Sequence, residues 1–301
     1  MGTTAEKLQR ALDNKNAIKQ AIINKGGTVG DNMSEYASAI DNLPSGGSGE
    51  ISENPLQTLV TGRGAYGGYQ LFHRYTGDNV DFIANIDWSA NTTCYSMFLH
   101  CSNTTAIPQL NTSNVTEMGY MFGYCSNLTT IPQLDTSNVT RMDYMFSYCR
   151  NLTTIPQLDT SNVTDTSYMF NNCIKLTSIP QLDTSNVTTC YGMFQSCFKL
   201  TTIDITSMDK ITSSENTYNF ASNCRSLTKL IIRTMTVIPA LNSDAFTNCY
   251  HFTGTVNSTY NPDGLKDGRI YVPDDFVEQL KSATNWSEYG DIIVPLSTLE
   301  E

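Results

Sequence analysis

Residues Asp135–Leu158 read DTSNVTRMDYMFSYCRNLTTIPQL, and the next 24, Asp159–Leu182, read DTSNVTDTSYMFNNCIKLTSIPQL. Two such stretches end to end are one structural unit written twice, and a fixed period is the signature of a repeat architecture. Cys101, Cys125, Cys149, Cys173 and Cys197 lie 24 residues apart, and Cys224 and Cys249 extend the column at intervals of 27 and 25. Cys94 and Cys190, 96 apart, fall in the column that holds Met118 and Met142. All nine cysteines are therefore repeat positions rather than a scattered disulfide framework.

Within one unit Val139, Met142, Met145, Phe146 and Cys149 are spaced three or four apart, which predicts a short amphipathic helix. Thr140 and Asp143 fit a capping box at its start. Leu152, Ile155 and Leu158 then recur every third residue, and Pro156 excludes a long helix there and suits a short extended edge. Such a unit is too small to bury its own apolar face, so copies must stack into a continuous core. Cys101, Cys125, Cys149, Cys173 and Cys197, with Phe122, Phe146, Phe170 and Phe194, are the expected core ladders. The expected fold class is α/β, a leucine-rich-repeat solenoid of ~24-residue repeats, with a small N-terminal helical segment and a C-terminal cap.

The pattern DTSNVTxMxYMFxxCxxLTxIPQLD resembles the BspA-type surface leucine-rich repeats of bacteria, protists and phages. Residues 87–205 match it closely. Residues 206–256 match it loosely, keeping Phe220, Cys224 and Leu227 and then Phe246, Cys249 and Phe252. YQLFHRY followed by VDFIANIDWS fits a degenerate first repeat or N-terminal cap within 51–86, and RIYVPDDFVEQLKSATNWSEYGDIIVPL resembles the C-terminal cap of such arrays, placed at 257–301. A cap is required because the last repeat otherwise exposes core.

At the start of the chain, Thr3 to Glu6 spans another capping box, and Leu8, Ala11, Leu12, Ile18, Ala21 and Ile22 follow at helical spacing up to Gly26–Gly27. Met33, Tyr36, Ala37 and Ile40 make a second short helix. Residues 1–43 are thus a helical anchoring or oligomerisation segment, and PSGGSGE carries a flexible linker at 44–50. KNAIKQAIINKGGTVGDNMSEYASAIDNL resembles the N-terminal segments of tailed-phage structural proteins. That resemblance implies attachment to other virion proteins through 1–43, with a displayed module behind it.

The formal net charge of −11 argues against nucleic acid and against insertion at an anionic membrane surface. No run of about 18 apolar residues predicts a transmembrane helix, and MGTTAEKLQRALDNKNAIKQ lacks the apolar core of a secretory signal. Rungs about 4.8 Å apart do not exclude disulfides between neighbouring cysteines by distance. Side chains that all point inward, and an intracellular start, favour buried thiols.

Chemistry is scarce. His73, His100 and His251 are far apart in the register, no Cys-x-x-Cys pair exists, and GRGAYGG at 62–68 lacks both the P-loop and dinucleotide spacings. No catalytic residue, metal site or cofactor is expected. Asp135, Asp159 and Asp183, with Asn111 ahead of them, stack at one position, and turn hydrogen bonds explain them better than a cation. The recurring NVT and NLT tripeptides are read as structural. What remains is surface. Tyr120, Tyr144 and Tyr168 form one outward column, and Tyr124 and Tyr148 another. Thr129, Thr153 and Thr177 line the strand side with Gln133, Gln157 and Gln181. Such tyrosine and polar ladders suit adaptable recognition of host glycan or protein, although they also suit simple shielding and solvation. The expectation is a non-enzymatic, homo-oligomeric tail-fibre or other appendage protein of a virion. The alternative is a BspA-type adhesin on a bacterial surface.

Overall fold

The computed structural model describes residues 68–75, 80, 83, 84 and 86–300. The helices expected within 1–43, the linker at 44–50 and nearly all of GRGAYGG lie outside the described residues.

The repeats stack in parallel, each on the next. Bridges run Thr93–Glu117–Arg141–Asp165–Thr189, one residue from each of five successive repeats. In the last part of the array this register opens into a parallel sheet of four strands in sequence order, β1 (Thr202–Ile205), β2 (Lys229–Ile232), β3 (Arg269–Val272) and β4 (Ile293–Pro295). The only α-helices among the described residues are α1 (Tyr250–Thr253) and α2 (Val277–Ser282). A parallel sheet with few helices is compatible with the α/β class.

The helix expected between Val139 and Cys149 does not form. An α-helix sends every N–H back to the fourth preceding carbonyl. Here Met142, Tyr144, Phe146 and Tyr148 send theirs forward to the next repeat, to the carbonyls of Asp165, Ser167, Met169 and Asn171 at 3.1, 2.8, 2.9 and 2.7 Å. The residues between them close tight turns instead: Met145 N–H donates to Met142 O, Ser147 to Tyr144 O and Cys149 to Phe146 O, at 3.2, 3.0 and 3.0 Å. This path needs a left-handed residue every fourth position, and Tyr144 (φ +56°) and Tyr148 (φ +62°) supply it. The apolar spacing of three and four was correct, but it reflects successive turns over one core, not helical rise. The capping box is absent too. Thr140 Oγ1 donates to Thr116 O at 3.2 Å. Asp143 is buried 3.1 Å from Arg141 Nη2, and burial raises its carboxyl above the ordinary range.

Proline decides where strands form. The segments ending in Pro108, Pro132, Pro156 and Pro180 lack a backbone donor at the position that a ladder needs, and none becomes a strand. TIDI (β1) and KLII (β2) carry no proline in that place and pair along four residues. In the proline repeats glutamine substitutes for the missing N–H. Gln133 Nε2 donates to Gln157 O at 2.7 Å and Gln157 Nε2 to Gln181 O at 3.0 Å.

The core is one continuous column. Phe98, Phe122, Phe146, Phe170 and Phe194 are fully buried, and their rings stack at centroid separations of 5.7, 5.6, 5.6 and 5.5 Å. Phe72 prolongs the column at 5.3 Å from Phe98, and the Gln70, Phe72 and Arg74 N–H groups donate to Tyr95, Met97 and Leu99. Towards the C-terminus Phe220 and Phe246 turn edge-on, where the period lengthens from 24. Beyond them Tyr289 sits edge-on to Phe246 at 5.3 Å, and buried Trp286 donates its indole N–H to Pro239 O at 2.8 Å.

Substituting Phe146→Ala removes a ring packed on both faces, so a loss of about 3–5 kcal/mol in unfolding free energy is expected by chemical denaturation.

Candidate functional site

The left-handed positions generate the most distinctive surface of the molecule. Each repeat has two of them, four residues apart: 96 and 100, 120 and 124, 144 and 148, 168 and 172, 192 and 196. Their side chains form two columns along the stack. In the first, Tyr120 and Tyr144 lie 4.4 Å apart and within 8° of parallel, and Tyr168 follows at 4.8 Å. Tyr95 and Tyr69 extend this column at 5.7 Å steps. In the second, Tyr124 and Tyr148 stack at 4.6 Å, with His100 4.5 Å from Tyr124 and His73 5.9 Å from His100. Arg150 lies 5.4 Å above the Tyr148 ring.

The extension through Tyr95 was invisible to column counting, because Tyr95 sits one position off the register of Tyr120. Glycine reveals it. A Cβ on Gly119 would stand 3.1 Å from the Tyr95 ring. At the other end, a Cβ on Gly192 would meet the Tyr168 ring at 2.6 Å. Both glycines make room for an aromatic side chain from the preceding repeat.

Stacking hides ring faces and presents ring edges and hydroxyls. Tyr124 is exposed, and Tyr120, Tyr144, Tyr148 and Tyr168 are half-buried. Burial, and then the neighbouring tyrosines, raises the Tyr120 and Tyr144 phenols above their ordinary range. They remain protonated hydrogen-bond donors at neutral pH. The imidazoles of His73 and His100 are lowered by burial and by Arg74, which holds them towards the neutral form beside that guanidinium.

The strand-side candidates differ. Thr129, Thr153, Thr177, Gln133, Gln157 and Gln181 are all exposed, but their donors are largely committed to the stack. Thr129 Oγ1 donates to Thr105 O at 3.0 Å and Thr177 Oγ1 to Thr153 O at 3.2 Å. The Gln133 and Gln157 amides bond both across to the next repeat and to the following Leu carbonyl. This face has a structural task that the tyrosine columns do not share.

The acidic column is a row of turns. Asp135 Oδ1 accepts from Ser137 N and Oγ at 3.1 and 2.7 Å, and Asp159 Oδ1 from Ser161 at 3.0 and 2.6 Å. These bonds hold both carboxyls below the usual range. Asn138 and Asn162, the first letters of the NVT tripeptides, donate their amides to Ser113 O and Ser137 O. Among the described residues, no group of three or more His, Cys, Asp or Glu side chains is placed to hold a metal ion. Among the same residues, no helix is long and apolar enough to cross a membrane.

All nine cysteines are free and buried. Cys125, Cys149, Cys173 and Cys197 donate their thiols to the carbonyls of Phe98, Phe122, Phe146 and Phe170, at 3.0 to 3.1 Å. Each such bond reaches back to the preceding repeat. Burial raises these thiols, that of Cys94 to about 12. None of the nine is paired in the structure.

The family model described as "Mycoplasma protein of unknown function, DUF285" matches residues 92–208 and 150–259. Together these matches span more than half of the chain, and the chain belongs to that family. The match supports a BspA-type repeat protein. No curated protein matches the chain.

Two measurements check this geometry. A thiol reagent should find none of the nine cysteines in the native protein and all nine in denaturant; rapid native labelling of the column would refute the buried thiol ladder. At Tyr144 the left-handed backbone costs a non-glycine residue about 1–2 kcal/mol, while each aromatic stack contributes about 0.5–1.5 kcal/mol. Tyr144→Ala loses the stack and keeps the strain, whereas Tyr144→Gly loses both. Equilibrium unfolding should therefore rank Tyr144→Gly as more stable than Tyr144→Ala by roughly 1 kcal/mol.

Proposed function

We propose that this chain is a non-enzymatic attachment protein. Its array, read as a leucine-rich-repeat solenoid of BspA type, is a recognition surface displayed towards a host cell. The observation that carries this reading is the continuous turn face, where one aromatic column runs through five repeats and a second through four, with tyrosine hydroxyls along both. Extended faces of this kind are what stacked repeats offer to a partner, and tyrosine combines contact area with a polar tip at low entropic cost.

In this proposal the array is carried on a tail fibre or other appendage of a tailed phage. Residues 1–43 join it to other virion proteins, in a homo-oligomer assembled in the host cytoplasm. The resemblance of residues 15–43 to tailed-phage structural proteins supports that placement. A second reading, a BspA-type adhesin on a bacterial surface, is favoured by the family match over 92–259.

Antibody against residues 87–256 separates the two. Labelling of the appendages on intact, purified particles is the expected outcome. Unlabelled particles, with labelled bacterial cells, would overturn the phage placement in favour of the adhesin. For recognition itself, purified protein should decorate susceptible cells, and a Tyr124→Ser/Tyr148→Ser variant should bind them more weakly.

A further inference from the structure

One edge of the array runs against the charge of the whole protein. In four successive repeats the turn after the column cysteine carries a cation: Arg150, Lys175, Lys199 and Arg225. The turn segments 150–154, 174–178, 198–202 and 225–229 contain no carboxylate, although the chain has 29 acidic residues against 18 basic ones. Among the described residues, Arg141, Arg233, Lys266 and Lys281 each have a carboxylate partner, whereas these four cations have none.

They are nevertheless held in place. Lys175 Nζ donates to Asn151 Oδ1 at 2.7 Å, one repeat back, so it lies along the stack. Arg150 packs over the Tyr148 ring. The Arg225 guanidinium sits 4.4 Å from the Phe198 ring centroid and 5.6 Å from that of Tyr260, and its buried Nε has no hydrogen-bond partner. Arg150, Lys175 and Lys199 are exposed. Arg150 and Arg225 directly follow the column cysteine and Lys175 and Lys199 stand one place later, so with one repeat every ~4.8 Å the four turns that carry them span roughly 14 Å of the stack.

We infer that this ridge takes an anionic glycan, a linear polymer with carboxylates along its length. The inference rests on the reading of the array as a recognition surface, and it names the ligand class. One cation per repeat matches a polymer whose charges are separated by sugar residues. It does not match the denser phosphates of duplex nucleic acid, which the net charge of −11 also repels. The sugar hydroxyls between the charges meet the edges and hydroxyls of Tyr124 and Tyr148 on the same border of the turn face.

Calorimetric titration of the full chain tests it, with polygalacturonate as the anionic probe and dextran and polyglutamate as comparisons. Polygalacturonate should bind, more weakly as salt rises, and dextran should not. The triple variant Arg150→Gln/Lys175→Gln/Lys199→Gln should bind at least tenfold more weakly with an unchanged melting temperature, and Lys281→Gln should bind like the parent. Should the triple variant unfold, the single exposed change Lys199→Glu is expected to weaken binding in the folded chain. Equal binding of polygalacturonate by parent and variant, or polyglutamate binding as tight as polygalacturonate, overturns the inference. If the triple variant still decorates host cells like the parent, the ridge fails while the attachment reading stands. If the parent decorates no cells, the attachment reading itself fails.

Discussion

The structure depends on a backbone that divides its donors between two directions. Alternate N–H groups along the turn face close local turns, and the others cross to the next repeat. Crossing bonds must all point the same way, which a uniform right-handed path cannot arrange over so few residues. The chain therefore enters the left-handed region at every fourth position. Glycine is the least strained occupant there, yet among the described repeats it fills only Gly192. Tyrosine, histidine, asparagine, serine, glutamine and arginine fill the rest. The left-handed backbone sets neighbouring tyrosines 4.4 to 4.8 Å apart, and stacking at that distance offsets strain of about 1–2 kcal/mol per residue.

The same division of donors explains the cysteine column. The Phe122 carbonyl already accepts the N–H of Cys125 in its own turn, at 3.1 Å, and still has a lone pair facing the core. Cys149 in the next repeat supplies a weak donor there, at 3.1 Å. A thiol is small and apolar enough to lie beside the stacked phenylalanines and polar enough to meet a buried carbonyl. Alanine would leave that lone pair unmet, and serine would bring a more strongly hydrated group into the core. Burial keeps the thiols protonated, so the column consists of donors rather than nucleophiles or metal ligands.

Column arithmetic on the sequence found the period, the inward set and the paired faces, because each of those is fixed by register alone. It misjudged the local conformation. Val139, Met142, Met145, Phe146 and Cys149 have the spacing of a helix face, and consecutive tight turns over one core produce the same spacing. The information that separates them lies in where each N–H goes, and that depends on a partner 24 residues away. The aromatic columns were legible only in their middle. Tyr95 is offset by one position, and the clue to its place is the missing side chain at Gly119. His100 shares the register of Tyr124 and Tyr148, while His73, 27 rather than 24 residues before it, ends the same stack. The pairing of Arg225 with Phe198 and Tyr260 joins residues 27 and 35 positions apart, outside the 24-residue register.

The two sides of the array differ in how freely their letters can change. On the strand side Gln133 and Gln157 replace the donor that proline removes, and Thr129 and Thr177 hydroxyls add cross-repeat bonds. A substitution there loosens the stack itself. At the turn after the cysteine the successive residues are Ser126, Arg150, Ile174, Phe198 and Arg225. Arg150 and Arg225 are held by ring contacts rather than by the backbone of the next repeat. Charge and shape can vary at that edge without a loss of register, since the crossing bonds that set the register come from Met142, Tyr144, Phe146 and Tyr148. Surface chemistry is thus separable from stability along one edge of the stack, which is the physical condition for a repeat array to change its ligand while keeping its fold.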